Sequence, residues 1–346
     1  MRLVAAAAVL WSHHHAILNL PEPMFPGLDA TFGAFGVYIF FAISGYLNAG
    51  SLMRGRSSAA FLYNRVLRIY PALLACTIFA IVLGLVLTTV PLRQYLFDSA
   101  TAAYLLRNAT LIAGVRYNLP GVFEANPYPR AMNGSLWTLP YEMDLYIVLA
   151  LVLLVWRYRS AALYILAALV VAALAILPVP ASTLLVLPGV FANHLATFAT
   201  LFLAGAVLAA SERDFGFLYG CLACLAAGVL LLLTGNLWLA RLLIFAPLVI
   251  VVGRLEPPRM LQPRVDISYG FYLYAFPVQQ LVASQTTRFW PVLILSAAGT
   301  LVMAYLSSRL VEQPALRLKI RSARSLTGRA GPGPALETAL GSERTV

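Results

Sequence analysis

Apolar stretches close to the roughly 20 residues that cross a hydrocarbon core recur from Arg2 to about position 308, separated mostly by short, arginine-bearing loops. No single aqueous core could bury them all, and a bilayer admits only helices or closed barrels, whose backbone polar groups are satisfied internally. The charge content agrees. Only 11% of the 346 residues are charged and 61% are hydrophobic, whereas about 25% of a soluble domain is charged. Spans are expected at 2–18, 33–50, 71–90, 141–156, 161–178, 195–210, 216–234, 237–253, 267–285 and 290–308. The fold class is therefore all-α, a polytopic membrane protein of about ten transmembrane helices, with a membrane-embedded domain over 1–315. The first run carries His13, His14 and His15 and lacks a small-residue cleavage site, so it reads as a retained helix rather than a signal peptide. Its closeness to Met1 leaves room for a start codon upstream.

Orientation follows from the basic residues. With both termini in the cytoplasm, that side receives Arg2, Arg54, Arg56, Arg65, Arg68, Arg157, Arg159, Arg213, Arg254, Arg259, Arg264 and the tail from Arg309 to Arg344. The other side holds only Arg93, Arg107, Arg116, Arg130 and Arg288. The inverted orientation would break the positive-inside rule. The same rule accounts for the net charge of +11, and no soluble basic domain presents a groove-reading element, so nucleic acid is not an expected partner. Residues 91–140 form the one long extracytoplasmic stretch, interfacial or re-entrant in its middle, and 316–346 form a basic, then disordered cytoplasmic tail. Three cysteines give no disulfide framework. Cys221 and Cys224 lack a second ligand pair, so no metal site is expected.

Polar side chains inside a bilayer are costly enough to mark function by default, and few spans carry any. His13, His14 and His15 lie in the outer half of the first span, about 16 Å along the axis from Arg2 to His13 at 1.5 Å per residue. Successive helical residues point about 100° apart, so at most one or two of the three face the interior, and their adjacency does not suit a metal, which needs i, i+4 spacing. A neutral imidazole, with an unperturbed pKa of about 6.5, suits removal of a proton from a hydroxyl. The plainer alternative is a polar helix end bonded to water or headgroups. The loop after the second span reads FLYNRVLRIYP, with Arg65 and Arg68 at i, i+3. Two guanidiniums at the cytoplasmic surface can clamp a diphosphate, although the positive-inside rule alone also places arginines there. GSLWTLPYEMDLY sets Glu142 and Asp144 at the outer mouth of the fourth span, where a carboxylate can hold a catalytic histidine or a polar substrate, or merely answer a helix dipole. Asn108 and Asn133 sit in Asn-x-Ser/Thr sequons on the outer side.

Six segments in order, namely Arg2 eleven positions before His13 in WSHHHAIL, GVYIFFAISGYL, the RVLR arginines before IYP, GSLWTLPYE, ISYGFYLYAFPVQQ and VEQP, together resemble the acyltransferase 3 family of membrane-bound acyltransferases. The likeness is greatest to the bacterial branch that O-acetylates cell-surface and exported polysaccharides, and it covers residues 2–315. It implies that His13 is the catalytic base, that Glu142 supports the active site, and that Arg65 and Arg68 bind the acyl-CoA donor. Ser44, Gly45, Trp137 and Tyr269 are implied to shape the cavity. The resemblance also implies a multi-pass protein of the inner (plasma) membrane with no bound cofactor, acyl-CoA as donor with acetyl the default group, and a carbohydrate or lipid-linked glycan hydroxyl as acceptor. Two positions depart from it. Tyr38 stands where many relatives have Asp, leaving Glu142 or Asp144 to substitute in a His-Asp pairing, and Ala275 stands where many have His. The rival reading is a proton-coupled transporter or flippase in which His13, Glu142, Asp144 and Arg241 form a relay. It leaves RVLR unexplained and gains no support from internal repeats.

Overall fold

The apolar runs become helices, each starting or ending where proline, glycine or polar residues interrupt the run. The structure, a computed structural model, describes residues 1–54, 57–155, 159–176, 185–187, 190–255 and 265–318. The expected tail beyond residue 318, and Arg56, Arg157, Arg259 and Arg264, lie outside the described residues. In chain order the helices are α1 (Arg2–Ile17), α2 (Phe32–Arg54), α3 (Ser58–Leu87), α4 (Leu92–Phe97), α5 (Ser99–Thr110), α6 (Leu139–Val155), α7 (Arg159–Ile176), α8 (Ala192–Asp214), α9 (Phe217–Leu233), α10 (Leu237–Arg254), α11 (Ser268–Ala283) and α12 (Phe289–Ser307). Two-residue strands at Met24–Phe25 and Ala30–Thr31 pair antiparallel between α1 and α2. Six segments among the described residues are long and apolar enough to cross a bilayer: Phe32–Arg54, Ser58–Leu87, Gly134–Val152, Ala192–Asp214, Leu237–Arg254 and Phe289–Leu318. The chain is thus a multi-pass membrane protein.

Its surface is inverted relative to a soluble bundle. Val86, Ile176 and Leu233 are each about four-fifths exposed, while Ser12, Ser44, Asn48, Asn133, Gln279 and Gln280 are buried. Apolar faces therefore meet lipid, and polar side chains turn inward, where partners satisfy them.

One local feature differs from the sequence reading. FLYNRVLRIYP is helix, not loop: α3 starts at Ser58, is capped by the Ser57 hydroxyl accepting from the Ala60 amide (3.4 Å), and runs through Pro71. No glycine interrupts the segment, and the proline removes one backbone donor without ending the helix. In 91–140, α4 and α5 are short helices, followed by irregular chain and a 3₁₀ turn at Gly134–Thr138. The 12 residues of α5 reach about 18 Å at 1.5 Å per residue, too short for a bilayer.

Helix α2 is the hub, packing against α1, α8 and α10. Small residues let its backbone approach α8: a Cβ on Gly45 would overlap the Phe202 carbonyl, and one on Gly205 the Ala42 carbonyl. Ser44, next to Gly45 and about 100° around the helix from it, lines the cavity.

The irregular 111–133 segment is pinned by amides. Asn126 Nδ2 donates to the Gln280 carbonyl (2.9 Å), and Gln280 Nε2 donates to the carbonyls of Tyr128 (2.8 Å) and Ala131 (2.9 Å). Gln279 Nε2 donates to the Leu10 carbonyl (2.9 Å), tying α11 to α1. Both sequon asparagines are structural and buried. Asn108 exchanges bonds with the Arg116 backbone (2.9 and 2.8 Å), and Asn133 Nδ2 donates to the Leu273 carbonyl (2.9 Å).

Candidate active site

A cavity of about 800 Å³, counting its open mouth, lies between α1, α2, α3, α6 and α11. Arg2, Arg65, Arg68 and Ser268 line one end, Thr138 and Tyr272 the other, and Ser44, Glu142, Tyr146 and Tyr269 the wall between. The basic end follows from chain order, because Arg2 opens α1, Ser268 opens α11, and the two arginines sit in the N-terminal part of α3.

The wall carries a tight polar triangle. Glu142 Oε1 accepts from Ser44 Oγ (2.9 Å) and from the Tyr146 hydroxyl, and Ser44 and Tyr146 are themselves 2.8 Å apart. Tyr146 follows Glu142 by four residues and so shares its helix face. Asp144 does not line the cavity. Tyr269 donates to the Ile69 carbonyl (3.0 Å), bridging α11 to α3 beside the arginines.

At the basic end, Arg68 Nη2 donates to Asp266 Oδ2 (2.6 Å) and Arg68 Nη1 lies 3.8 Å from Glu312 Oε2. Arg2 lies 3.7 Å from the same Asp266 oxygen. Asp266 occupies the turn before α11, outside the spanning helices. Its burial alone would raise the carboxyl pKa, but Arg68, Arg2 and the Ser268 hydrogen bonds outweigh it and hold the group at about 2. A folded-state value below the ordinary ~3.9 means that its contribution is fully present above about pH 4 and is lost as pH falls toward 2. Thermal melts of wild type and Asp266→Asn in nanodiscs are expected to differ by a constant amount above pH 4, and the gap should narrow as pH falls toward 2.

The three histidines enter three environments. His14 is fully buried and packs edge-on against Phe289 (4.4 Å between centroids), and His15 Nδ1 donates to the Trp11 carbonyl (3.0 Å). His13 meets Ser135: its Nδ1 lies 3.5 Å from Ser135 Oγ, with Phe276 edge-on at 5.2 Å. The 3₁₀ turn holding Ser135 is rigidly held. Asn133 Oδ1 accepts from the Ser135 amide (3.1 Å), and the Tyr272 hydroxyl donates to the Ser135 carbonyl (2.6 Å) while meeting Thr138 Oγ1 (2.7 Å). One residue thus separates His13 from the cavity's far end.

The structure brings Ser44, Arg65, Arg68, Glu142 and Tyr269 together in one cavity, with His13 just beyond it. Glu142 sits with Ser44 and Tyr146, in the arginine-lined cavity rather than at His13. Gly45 acts through the α2–α8 seam. Trp137 faces away from the cavity lining, packing against His194 (4.8 Å) and Tyr141 (5.9 Å). Tyr38, at the position of the missing carboxylate, is buried edge-on to Trp238 (5.8 Å), so no charged group replaces it there. Ala275 is buried packing. Tyr146, Asp266, Glu312, Ser135 and Tyr272 were not singled out by sequence. Only Tyr146 carried a local signal, its i+4 spacing from Glu142.

A family model described as an acyltransferase domain matches residues 1–309. Among known proteins, an O-acetyl transferase of Shigella phage Sf6 is 30% identical over 332 residues, covering 90% of this chain and 93% of that protein. Nodulation protein 10 of Rhizobium leguminosarum bv. viciae is 30% identical over 349 aligned positions, covering 92% of each. No solved structure matches.

Proposed function

This chain belongs to the acyltransferase 3 family, whose acyltransferase domain fills residues 1–309, and on that premise we propose that it transfers an acetyl group from acyl-CoA to a hydroxyl of a cell-surface or exported glycan. It is an enzyme, an acyltransferase. In the proposed topology about ten helices span the inner membrane, both termini are cytoplasmic, and the arginine end of the cavity opens to the cytoplasm.

The observation that carries this reading is the cavity, basic at one end and ending one residue short of His13. The donor's phosphates dock at the basic end, and its pantetheine arm runs past the Ser44–Tyr146–Glu142 wall toward Thr138 and Tyr272. His13 takes the proton of an acceptor hydroxyl arriving from the opposite side. The oxygen then attacks the thioester carbonyl, a C–O bond forms as the C–S bond breaks, and the CoA thiolate leaves with the proton returned from the imidazolium. Ser135 Oγ, 3.5 Å from His13 Nδ1, occupies the position that the acceptor oxygen takes, so the Ser135 side chain turns away when the acceptor binds.

The test is CoA release by purified protein in nanodiscs supplied with acetyl-CoA and a panel of surface-glycan acceptors. Acceptor-dependent thiol release with matching acetylated product supports the proposal. Movement of a solute without CoA release would replace it with a transporter.

A further inference from the structure

We infer that Ser135 decides what His13 activates: its hydroxyl holds the base while the acceptor site is empty, so that a glycan hydroxyl, and not water, receives the acetyl group. Ser135 is then a specificity-determining residue for transfer against hydrolysis, an inference that rests on the acyl-CoA reading above and deepens it.

A base able to take a proton from a sugar hydroxyl can also take one from water, which is smaller and far more abundant. Beside an open histidine, bound acetyl-CoA would be hydrolysed. His13 would remove a proton from water, the water oxygen would bond to the thioester carbonyl carbon, the C–S bond would break, and the thiolate would recover the proton from the imidazolium, giving acetic acid and CoA. Excluding water from the base prevents this side reaction. The surroundings of His13 serve that end. Phe276 stands edge-on to the imidazole at 5.2 Å and offers it an apolar ring. That ring closes on the 134–138 turn because residue 134 is glycine, where a Cβ would lie 2.6 Å from Phe276 Cε2. The polar neighbour is Ser135 Oγ, 3.5 Å from Nδ1 on a fully buried residue.

Only the side chain of Ser135 is left free to yield. Its amide donates to Asn133 Oδ1 (3.1 Å), its carbonyl accepts from the Tyr272 hydroxyl (2.6 Å), and Asn133 Nδ2 is itself fixed to the Leu273 carbonyl (2.9 Å). With both backbone groups held, the hydroxymethyl group moves by rotating among its staggered wells. Turning away forfeits one long hydrogen bond. A sugar that brings several hydrogen bonds of its own, and a hydroxyl for Nδ1, makes up that loss, whereas a lone water does not. The discrimination expected from one such bond is about fivefold to tenfold, which is ~1.0–1.4 kcal/mol. Tyr272 and Thr138, which meet at 2.7 Å, carry this turn at the cavity end toward which the donor's pantetheine arm is proposed to run.

The experiment compares wild type, Ser135→Ala and the double variant His13→Ala/Ser135→Ala in nanodiscs. It measures CoA release from acetyl-CoA alone, CoA release and acetylated product with the panel of surface glycans, and intact protein mass after incubation with donor alone. Ser135→Ala is expected to raise acceptor-independent CoA release by about fivefold or more, with free acetate as the product, and to lower the acetylated glycan formed per CoA released. The double variant should return acceptor-independent release to the wild-type level, because the water still needs the base; a leak caused by loosened packing would persist. Unchanged acceptor-independent release in Ser135→Ala would overturn the inference, and so would an increase that survives the loss of His13. Acetylated wild-type protein that disappears in Ser135→Ala would overturn it as well, by making Ser135 a nucleophile instead of a stand-in for the acceptor. If Ser135→Ala does not yield folded protein, Ser135→Gly, which adds no atom to the turn, carries the same expectation and the same contradictions. Failure of the acyl-CoA reading looks different: wild type and variants stay folded and none releases CoA, with or without acceptor, and the inference falls with it.

Discussion

Replacing His13 by alanine is expected to slow transfer by about 10³-fold, within the range contributed by a positioned general base, while melting temperature and donor KM stay near wild type. The side chain is half-buried, and its hydrogen-bond partner, Ser135 Oγ, is at 3.5 Å, so little stability is lost with it. Nor does it line the basic end of the cavity, the proposed seat of the donor's phosphates. The neighbouring histidines supply the contrast. His14→Ala removes a fully buried ring packed against Phe289 and should cost about 2–4 kcal/mol of stability through the cavity it leaves, with a smaller effect on kcat. His15→Ala loses one hydrogen bond to its own helix, worth about 1 kcal/mol, with little effect on turnover. Stopped assays of CoA release paired with thermal melts separate the three. A His13→Ala enzyme that turns over within tenfold of wild type would remove His13 as the base.

The second large effect concerns Gly45. A methyl group there would overlap the Phe202 carbonyl and its flanking backbone, and backbone, unlike a side-chain tip, cannot rotate out of the way. Helices α2 and α8 would have to separate along the seam on which the bundle is built. Overpacking a core costs about 1–3 kcal/mol when side chains can yield, so Gly45→Ala should exceed ~3 kcal/mol and deplete folded protein on size exclusion. Gly205→Ala, meeting the Ala42 carbonyl from the facing side, should behave alike. Gly228→Ala is the control: its added carbon would sit 3.4 Å from the Ala240 carbonyl, ordinary contact distance, and the protein should remain folded. If Gly45→Ala folds normally, the close α2–α8 approach does not hold the cavity wall.

These two residues also show what the sequence could reveal. The helices were legible because a 20-residue apolar run has one stable form in a bilayer. His13 stood out because polar groups inside a span are rare. The RVLR segment was misread as a loop, since its charge suggested water while its lack of breakers favoured continuing α3. Glu142 was visible as an acid near the membrane, but its partners were not. Ser44 lies 98 positions away in the chain, and only packing joins them. The Arg68–Asp266–Glu312 network was invisible for the same reason: Asp266 looked like a residue just before a span, and Glu312 like part of VEQP. Asn133, Gln279 and Gln280 hide in motifs whose aromatic residues dominate the pattern, although they satisfy the backbone around the turn beside His13.

The central claim is that an acyl group passes through the cavity from a donor at the arginine end to an acceptor beyond His13. The most direct measurement uses proteoliposomes of uniform orientation, with acetyl-CoA supplied only on the face bearing Arg2 and Arg68 and a glycan acceptor only on the other. The account predicts acetylated glycan on the acceptor face and free CoA on the donor face in equal amounts, with His13→Ala abolishing both. No product in this arrangement, with product formed when donor and acceptor share a face, would contradict it.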